Sequence, residues 1–305
     1  MHMMAEYSFT RARKIVSVAN YDITSRCNLR CQHCYFFKTN GGQTDELSDE
    51  QWAQIFNHHY EQGIRSVYIT GGEPSLRPEV LRHAHRTFHT VVIISNGTMK
   101  VPREIQRRIF VSMDGNREVH NSIRGADCFD QMMANVRNDK RVVFAPTLST
   151  SNCHLVEEMV DLTWLSGTAG ICFNLYTSHH DRYDPLLLEG DLLYHTLERI
   201  EAARRENPHI VLLSPRMIRM FGTKEHVQHC GFRKGNYVSY FSNMEPKQPC
   251  VLGQDVNCDT CGCVVPVFVT SLKKADVKGY FVMDRMFPPQ FLGRGSEAFC
   301  QQELD

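Results

Sequence analysis

Between residue 15 and about residue 205 the chain alternates two kinds of segment. Short runs dense in Val, Ile, Phe and Tyr occupy 15–23, 66–70, 90–95, 109–113, 141–147 and 170–176. Most are continuously apolar rather than strictly alternating, the pattern of strands covered on both faces. Longer, helix-like stretches separate them, over 48–62, 77–88, 102–107, 128–138 and 154–165, with 186–205 after the sixth strand. Ser48, followed by Asp49, Glu50 and Gln51, supplies a helix cap with acidic residues in the first turn, and Gly63 stands where that helix stops. Asn152 is placed to cap the helix carrying Glu157 and Glu158. Six strand–helix units in succession predict a parallel sheet with right-handed crossovers. Six are too few to close an eight-stranded barrel, so the expected fold is α/β, a partial (βα)6 TIM-like barrel with its chemistry at the C-terminal strand ends. After residue 208 the rhythm breaks. A short helix over 215–221, a β-like pair around 237–241 and a group of cysteines remain. The expected organisation is therefore a barrel over 15–207 and a small metal-bound extension over 208–305.

Composition narrows the class. The 305 residues are 42% hydrophobic, enough for one large core, and 34 Lys plus Arg balance 34 Asp plus Glu. Balanced charge disfavours a generic nucleic-acid binder. No apolar run reaches the length of a membrane span, since the stretch 264–269 is interrupted by Pro266. Residues 1–14 hold no hydrophobic stretch of a secretion signal, so the expected location is cytoplasmic. Twelve cysteines in such a chain point to metal or redox chemistry rather than a disulfide scaffold. Cys128, Cys153, Cys172 and Cys300 stand alone and are expected as buried small apolar residues. The other eight fall into two groups.

Cys27, Cys31 and Cys34, spaced C-x3-C-x2-C, lie in the loop that follows the first strand. Three thiolates on one short loop suit three irons of a [4Fe–4S] cluster, with the fourth iron left for an outside ligand. The alternative is a Cys3His zinc site using His33. The second strand ends in Thr70-Gly71-Gly72-Glu73-Pro74. The glycines allow close approach to backbone, and Glu73 brings an anionic acceptor suited to an ammonium group.

Together these segments resemble the radical S-adenosylmethionine (SAM) superfamily over roughly the first two-thirds of the chain. The resemblance rests on Cys27, Cys31, Cys34 and Tyr35, on Gly71, Gly72, Glu73 and Pro74, and on the six βα units. It implies that Cys27, Cys31 and Cys34 hold a [4Fe–4S] cluster and that Gly71, Gly72 and Glu73 meet the methionine end of SAM, with Tyr35 near the adenine. It further implies reductive cleavage of SAM to a 5′-deoxyadenosyl radical that abstracts hydrogen from substrate. Ser95-Asn96-Gly97 at the third strand end and Ser112-Met113-Asp114-Gly115 at the fourth match further family segments, as do His120 and Arg124-Gly125. Ser112 and Asp114 offer partners for ribose hydroxyls. Thr147 and Asn174 end the fifth and sixth strands and are candidates to face SAM or substrate.

Cys230, Cys250, Cys258, Cys261 and Cys263 form the second group, with a hairpin candidate over 236–248 between the first two. This is similar to the SPASM and twitch extensions of radical SAM enzymes, which implies one auxiliary [4Fe–4S] cluster. Five cysteines fall short of the full seven-cysteine SPASM pattern and exceed four iron positions, so Cys261 or Cys263 is a candidate spare. A structural zinc site is the alternative.

No cobalamin-binding or peptide-recognition segment precedes residue 27, so the expected substrate is a small organic molecule: a natural product, sugar, nucleoside or lipid-like compound. The expected electron donor is a reductant such as flavodoxin or ferredoxin. A peptide- or RNA-modifying radical SAM enzyme and a non-catalytic zinc-stabilised binding protein are the alternatives. The run His179-His180-Asp181-Arg182-Tyr183 lies on the expected catalytic rim, and Cys172, Asn174 and Tyr176 share one strand parity. Paired His58/His59 and His83/His85 do not converge on one helix face and are not metal candidates. No residue is singled out as catalytic.

Overall fold

The computed structural model describes residues 17–40, 45–179 and 183–293. Its strands are β1 (Val18–Asp22), β2 (Ser66–Thr70), β3 (Thr90–Ser95), β4 (Arg108–Val111), β5 (Val142–Phe144), β6 (Thr147–Leu148), β7 (Gly170–Ile171), β8 (Asn174–Leu175) and β9 (Tyr237–Tyr240). Seven of them form one sheet in the order β7-β5-β4-β3-β2-β1-β9, and every neighbouring pair is parallel. The runs expected as single strands over 141–147 and 170–176 are each broken in two. Pro146 has no N–H to give a ladder. Beyond it β6 and β8 pair separately, and Asn174 N–H donates to the Pro146 carbonyl at 2.9 Å.

The helices are α1 (Tyr35–Asn40), α2 (Asp49–Glu61), α3 (Pro78–Thr87), α4 (Arg117–Arg124), α5 (Phe129–Val136), α6 (Val156–Ser166), α7 (Gly190–Glu206), α8 (Pro215–Thr223), α9 (Glu225–Gln228), α10 (Val264–Lys273) and α11 (Val277–Met286). Ser48 caps α2 reciprocally: its hydroxyl accepts Gln51 N–H, and Gln51 Oε1 accepts Ser48 N–H at 2.8 Å. Tyr21 on β1, Trp52 and Phe56 on α2, and Phe88 after α3 interlock behind the sheet, none more than 1% exposed. Each such ring stabilises the fold by about 1.5–3 kcal/mol of buried apolar area. No helix among the described residues is long and apolar enough to cross a membrane.

Two expected helix features do not form. Residues 102–107 make a turn closed by Ile105 N–H on Pro102 O, with Ile105 buried as a plug. Six residues give too few hydrogen bonds to offset helix nucleation. Asn152 does not cap α6. Its Oδ1 accepts Ser149 N–H, and its Nδ2 donates to the carbonyls of Asp114 and Thr147, so it ties the end of β4 to the loop around β6.

The segment after residue 208 borders the sheet on both edges. Val211 bridges parallel to Ile171, and β9 pairs parallel with β1 from Val18↔Tyr237 to Tyr21↔Tyr240. The expected hairpin is present as a tight reversal in which Lys247 N–H donates to Ser239 O and Phe241 N–H to Glu245 O. Cys128, Cys153 and Cys172 are buried as expected, whereas Cys300 lies outside the described residues.

Candidate active site

The C-terminal ends of β1, β2, β3 and β4 converge on the loop that carries Cys27, Cys31 and Cys34. Glu46 fixes the start of that loop. Its Oε1 accepts Thr24 Oγ1–H at 2.6 Å, Ser25 N–H at 2.7 Å and Ser25 Oγ–H at 2.9 Å, while Oε2 pairs with Arg26 and Arg77. The loop after β2 lies directly on it. Gly72 N–H donates to Thr24 O and Glu73 N–H to Arg26 O, both at 2.8 Å. A Cβ on Gly71 would stand 2.4 Å from Thr24 O, and one on Gly72 would stand 2.0 Å from Arg26 O. Gly71 also has a positive φ of 121°. The nearest reason for both glycines is thus this loop-to-loop contact: the close approach that the sequence leads one to expect is made by the Thr24–Arg26 backbone.

Glu73 is 1% exposed and fully engaged on one oxygen. Oε1 accepts Ser75 N–H at 2.9 Å, Ser75 Oγ–H at 2.6 Å and Ser95 Oγ–H at 2.8 Å; Oε2 accepts Asn96 N–H at 2.7 Å. Asn96 passes the connection on. Its Nδ2 donates to Asn28 Oδ1 at 2.9 Å and approaches Cys27 Sγ at 4.0 Å, and Asn28 Nδ2 donates to Thr98 Oγ1 at 2.8 Å. Pro74 opens a buried turn beneath this network. The Ser112 hydroxyl, by contrast, has no hydrogen-bond partner among the described residues.

A second network reaches the loop from β4 and α4. Asp114 is fully buried; Thr147 N–H donates to its Oδ1 at 3.0 Å, and Arg124 Nη2 pairs with its Oδ2. Burial alone would raise the Asp114 carboxyl, but Arg124, His33 and His120 more than offset it and hold it below its usual range. His33 turns to Asp114, with its Nε2 3.8 Å from Oδ2. Asp114 N–H donates to His120 Nδ1 at 3.2 Å, so Nε2 carries the proton and faces Cys128 Sγ at 3.6 Å. Arg124 Nη1 donates to Cys31 Sγ at 3.6 Å. Gly125, left-handed at φ 70°, ends α4 where a Cβ would stand 2.8 Å from Arg30 O. Gln32 N–H donates to Ile123 O at 2.9 Å, so the end of α4 is clamped against the cysteine loop.

All three cysteines are partly exposed. Burial pushes the Cys27 thiol up to about 11; Glu73, Cys31 and Cys34 add to the rise, and Leu29 N–H, 3.5 Å from the sulfur, opposes it. Burial raises Cys34 too. Sulfurs that raise one another in this way hold their protons at neutral pH unless a cation takes them as thiolates. Tyr35 hydrogen-bonds Thr70, and burial, with Asp22, Cys34 and Cys250 adding to it, holds its hydroxyl well above the usual range.

In the second group burial pushes Cys250 up to about 12 and Cys261 up to about 11, and raises Cys258 and Cys263 as well. Cys230 acts on all four, which makes the five one electrostatic group. The rim after β8 is stitched to this loop. Asn174 Oδ1 accepts Val264 N–H at 3.1 Å, Thr177 Oγ1 accepts Gly262 N–H at 2.9 Å, and Ser178 meets Thr260. Asn174 therefore serves the start of α10. Tyr176 donates to Asp184, Cys172 is fully buried beside Arg108, and His179 bridges to Val256. Tyr183 is exposed, and His180, Asp181 and Arg182 lie outside the described residues. Among the described residues no set of three or more His, Cys, Asp or Glu side chains is arranged to hold a single metal ion.

Two site features gave no signal in the sequence. Glu46 and Asn28 are ordinary polar residues until the loops meet. Lys247 is fully buried and pairs with Asp22 at the end of β1, beneath the rings of Tyr35, Phe36 and Phe241 at 5.0, 5.8 and 5.3 Å.

The Radical SAM superfamily family model matches residues 21–161, the stretch from β1 through most of α6 that builds this site. That match spans just under half of the chain, and over it the chain is similar to the Radical SAM superfamily. The chain is 29% identical over 181 residues to Fe-coproporphyrin III synthase of Methanosarcina barkeri, covering 54% of this chain and 45% of that protein. It is 32% identical over 119 residues to the antilisterial bacteriocin subtilosin biosynthesis protein AlbA of Bacillus subtilis, covering 35% and 26%. The chain thus spans less than half the length of these curated relatives. The structure of Streptococcus suis SuiB bound to S-adenosylmethionine superimposes with a TM-score of 0.62 at 14% identity, over 82% of this chain and 64% of that one, a likeness of fold.

Proposed function

We propose that Cys27, Cys31 and Cys34 hold a [4Fe–4S] cluster that leaves one iron for SAM, on an open sheet that curves as a partial (βα)6 barrel. The observation that carries this reading is three sulfurs on one partly exposed loop, with donors already aimed at them: Leu29 N–H at Cys27 and Arg124 at Cys31. Such a donor set suits thiolates. Bound there, such a cluster would supply the electron for reductive cleavage of SAM to a 5′-deoxyadenosyl radical able to take hydrogen from substrate. The protein's own part is positional. Among the described residues Glu73 Oε2 accepts only the Asn96 amide, which leaves it a lone pair for the SAM ammonium group beside Gly71, Gly72 and Pro74. Ser95 and Asn96 fix that carboxylate against the cluster loop. The free Ser112 hydroxyl suits a ribose hydroxyl, with Asp114, Tyr35 and Asn174 around the same strand ends.

Cys230, Cys250, Cys258, Cys261 and Cys263 hold a second [4Fe–4S] cluster in the 208–305 extension, one sulfur in excess of its irons. The substrate is a small organic molecule and the electron donor a flavodoxin- or ferredoxin-like protein. A peptide substrate is the second reading, favoured by the likeness to AlbA, a bacteriocin biosynthesis protein. The test is oxygen-free reconstitution with iron and sulfide, then dithionite and SAM. Expected are about eight irons per chain, as two four-iron clusters require, together with 5′-deoxyadenosine and methionine. Bound zinc without iron, or no cleavage of SAM by iron-loaded protein, overturns the proposal. Added porphyrin or peptide that raises 5′-deoxyadenosine formation separates the substrate classes.

A further inference from the structure

We infer that Arg124 is a positioning residue that sets the reduction potential of the cluster held by Cys27, Cys31 and Cys34, through its hydrogen bond to the Cys31 sulfur, with Asp114 governing how much of its charge the cluster feels. The inference rests on the cluster reading above and deepens it. Four observations lead to it. The Arg124 guanidinium is buried, 7% exposed, and donates from Nη1 to Cys31 Sγ at 3.6 Å. Its Nη2 pairs with Asp114, whose carboxylate is 0% exposed and is anchored from the other side by Thr147 N–H. Its Nε, also buried, has no partner among the described residues, so the planar group divides between one sulfur and one carboxylate. The backbone on both sides is fixed: Gln32 N–H holds Ile123 O, and Gly125 packs on Arg30 O where no side chain fits. The guanidinium therefore cannot swing out to water while the loop stays folded.

The physical consequence has a sign. Reduction adds one negative charge to a cluster and its thiolates. A cation that hydrogen-bonds a ligating sulfur stabilises that added charge and raises the potential of an iron–sulfur centre. A carboxylate behind the cation works against it. Low local dielectric makes both effects stronger than they would be at the surface. Arginine suits the task because its charge is permanent and its fork reaches two acceptors at once.

The experiment is redox titration of the iron-loaded protein, followed by the EPR signal of the reduced cluster in a background where Cys230→Ala, Cys250→Ala and Cys258→Ala together remove the second site. In Arg124→Gln the midpoint is expected to fall, and in Asp114→Asn to rise. Arg124→Lys, which keeps charge without the fork, is expected between Arg124→Gln and the unaltered protein. Arg117→Ala, on the same helix but exposed, is the control and stays put. Unchanged midpoints in Arg124→Gln and Asp114→Asn at full iron content overturn the inference while leaving the cluster assignment intact. So do shifts of both in the same direction, which would mean only a loosened loop. Should Arg124→Gln fail to take up iron, Asp114→Asn and Arg124→Lys decide: a raised midpoint in the first with a lowered one in the second supports the inference, and any other pair overturns it. Failure of the unaltered protein to bind iron removes the cluster reading itself.

Discussion

Cys27, Cys31 and Cys34 occupy one loop, and the side chains around it come from the ends of four neighbouring strands: Glu46 and Arg77 beside β1, Glu73 after β2, Asn96 after β3, Asp114 with Arg124 after β4. Cys230, Cys250, Cys258, Cys261 and Cys263 come from one late stretch of the chain, whose loop is tied to the rim by Asn174 and Thr177 and, through the Cys261 carbonyl, to Lys224 and His226. In the first group hydrogen-bond donors reach two of the sulfurs themselves, Leu29 N–H at Cys27 and Arg124 at Cys31. In the second, burial raises Cys258, Cys261, Cys263 and Cys250, the last of which is pushed up to about 12. A loop gripped at its sulfurs and a loop gripped at its backbone are expected to respond differently to the same change.

The largest difference concerns cysteine removal. Cys31→Ala is expected to bring SAM cleavage down to background, at least about 1,000-fold, since a whole electron-transfer centre is lost rather than one interaction among many. The melting temperature should move little, because the Glu46, Glu73 and Asn96 network remains. Cys250→Ala is expected to do the reverse. It should keep SAM cleavage within about tenfold while destabilising the protein by several kcal/mol, because metal binding there contributes folding free energy. Iron content, 5′-deoxyadenosine yield and thermal unfolding measured on both variants check it. Equal losses of stability would erase the contrast.

Lys247 is where the second region reaches into the first. Its hairpin runs beside β1, and its ammonium meets Asp22 with both side chains 0% exposed. Removing one partner of such a pair leaves an uncompensated buried charge, at a cost of about 3–5 kcal/mol. Lys247→Met should therefore lower stability by that order, and Asp22→Asn with Lys247→Met together by clearly less. Urea unfolding of the three proteins measures the coupling. A double variant as weak as the single one would show that the pair is not what joins β9 to β1.

Much of the first region was legible in the sequence, and little of the second. The apolar runs at 66–70 and 90–95 place β2 and β3 where the structure has them, because strands buried on both faces must be apolar throughout. Ser48 and Gln51 announce their helix because the cap is made within four residues. The pairing of β9 with β1 is different. Tyr237 and Val18 are neighbours only after the intervening chain has folded, and no local pattern carries that register. The same holds for Asn152 and Asn174. Each looks like a cap or rim residue in the sequence, and each turns its amide to a partner on another element. The helix expected at 102–107 failed for the opposite reason, since local pattern was all it had and six residues gave it too little.

A pH test sharpens the comparison further. His120 lies behind the first cysteine loop, 0% exposed, and burial, with Arg124 adding to it and Asp114 opposing, pulls its imidazole down to about 4. Its Nδ1 already accepts Asp114 N–H, so a proton there has nowhere to go. The unfolded chain takes up that proton near 6.5, the folded one only near 4. Stability contributed by neutral His120 is therefore complete above about pH 6.5 and is lost as pH falls through the window to about 4, by up to roughly 3 kcal/mol. His120→Asn should flatten the slope of stability between pH 6.5 and 4.5 relative to the unaltered protein. Cluster loss in acid affects both proteins and cancels in the difference. Identical slopes would mean that the ring exchanges protons freely, and that the network behind Cys31 is looser than the one around Glu73.

The smallest effect comes from the same helix. Arg117 pairs with Asp130 just as Arg124 pairs with Asp114, but the side chains of the first pair are 63% and 58% exposed, against 8% and 0% for the second. Water screens the outer pair and solvates either partner left alone, so its net worth is within about 0.5 kcal/mol. Arg117→Ala should leave unfolding midpoint, iron content and SAM cleavage unchanged within error. If it destabilised the protein by 1 kcal/mol or more, the contact between α4 and α5, rather than the buried pair, would be what presses the end of α4 onto the cysteine loop. The role given to Arg124 would then have to pass through the helix as a whole.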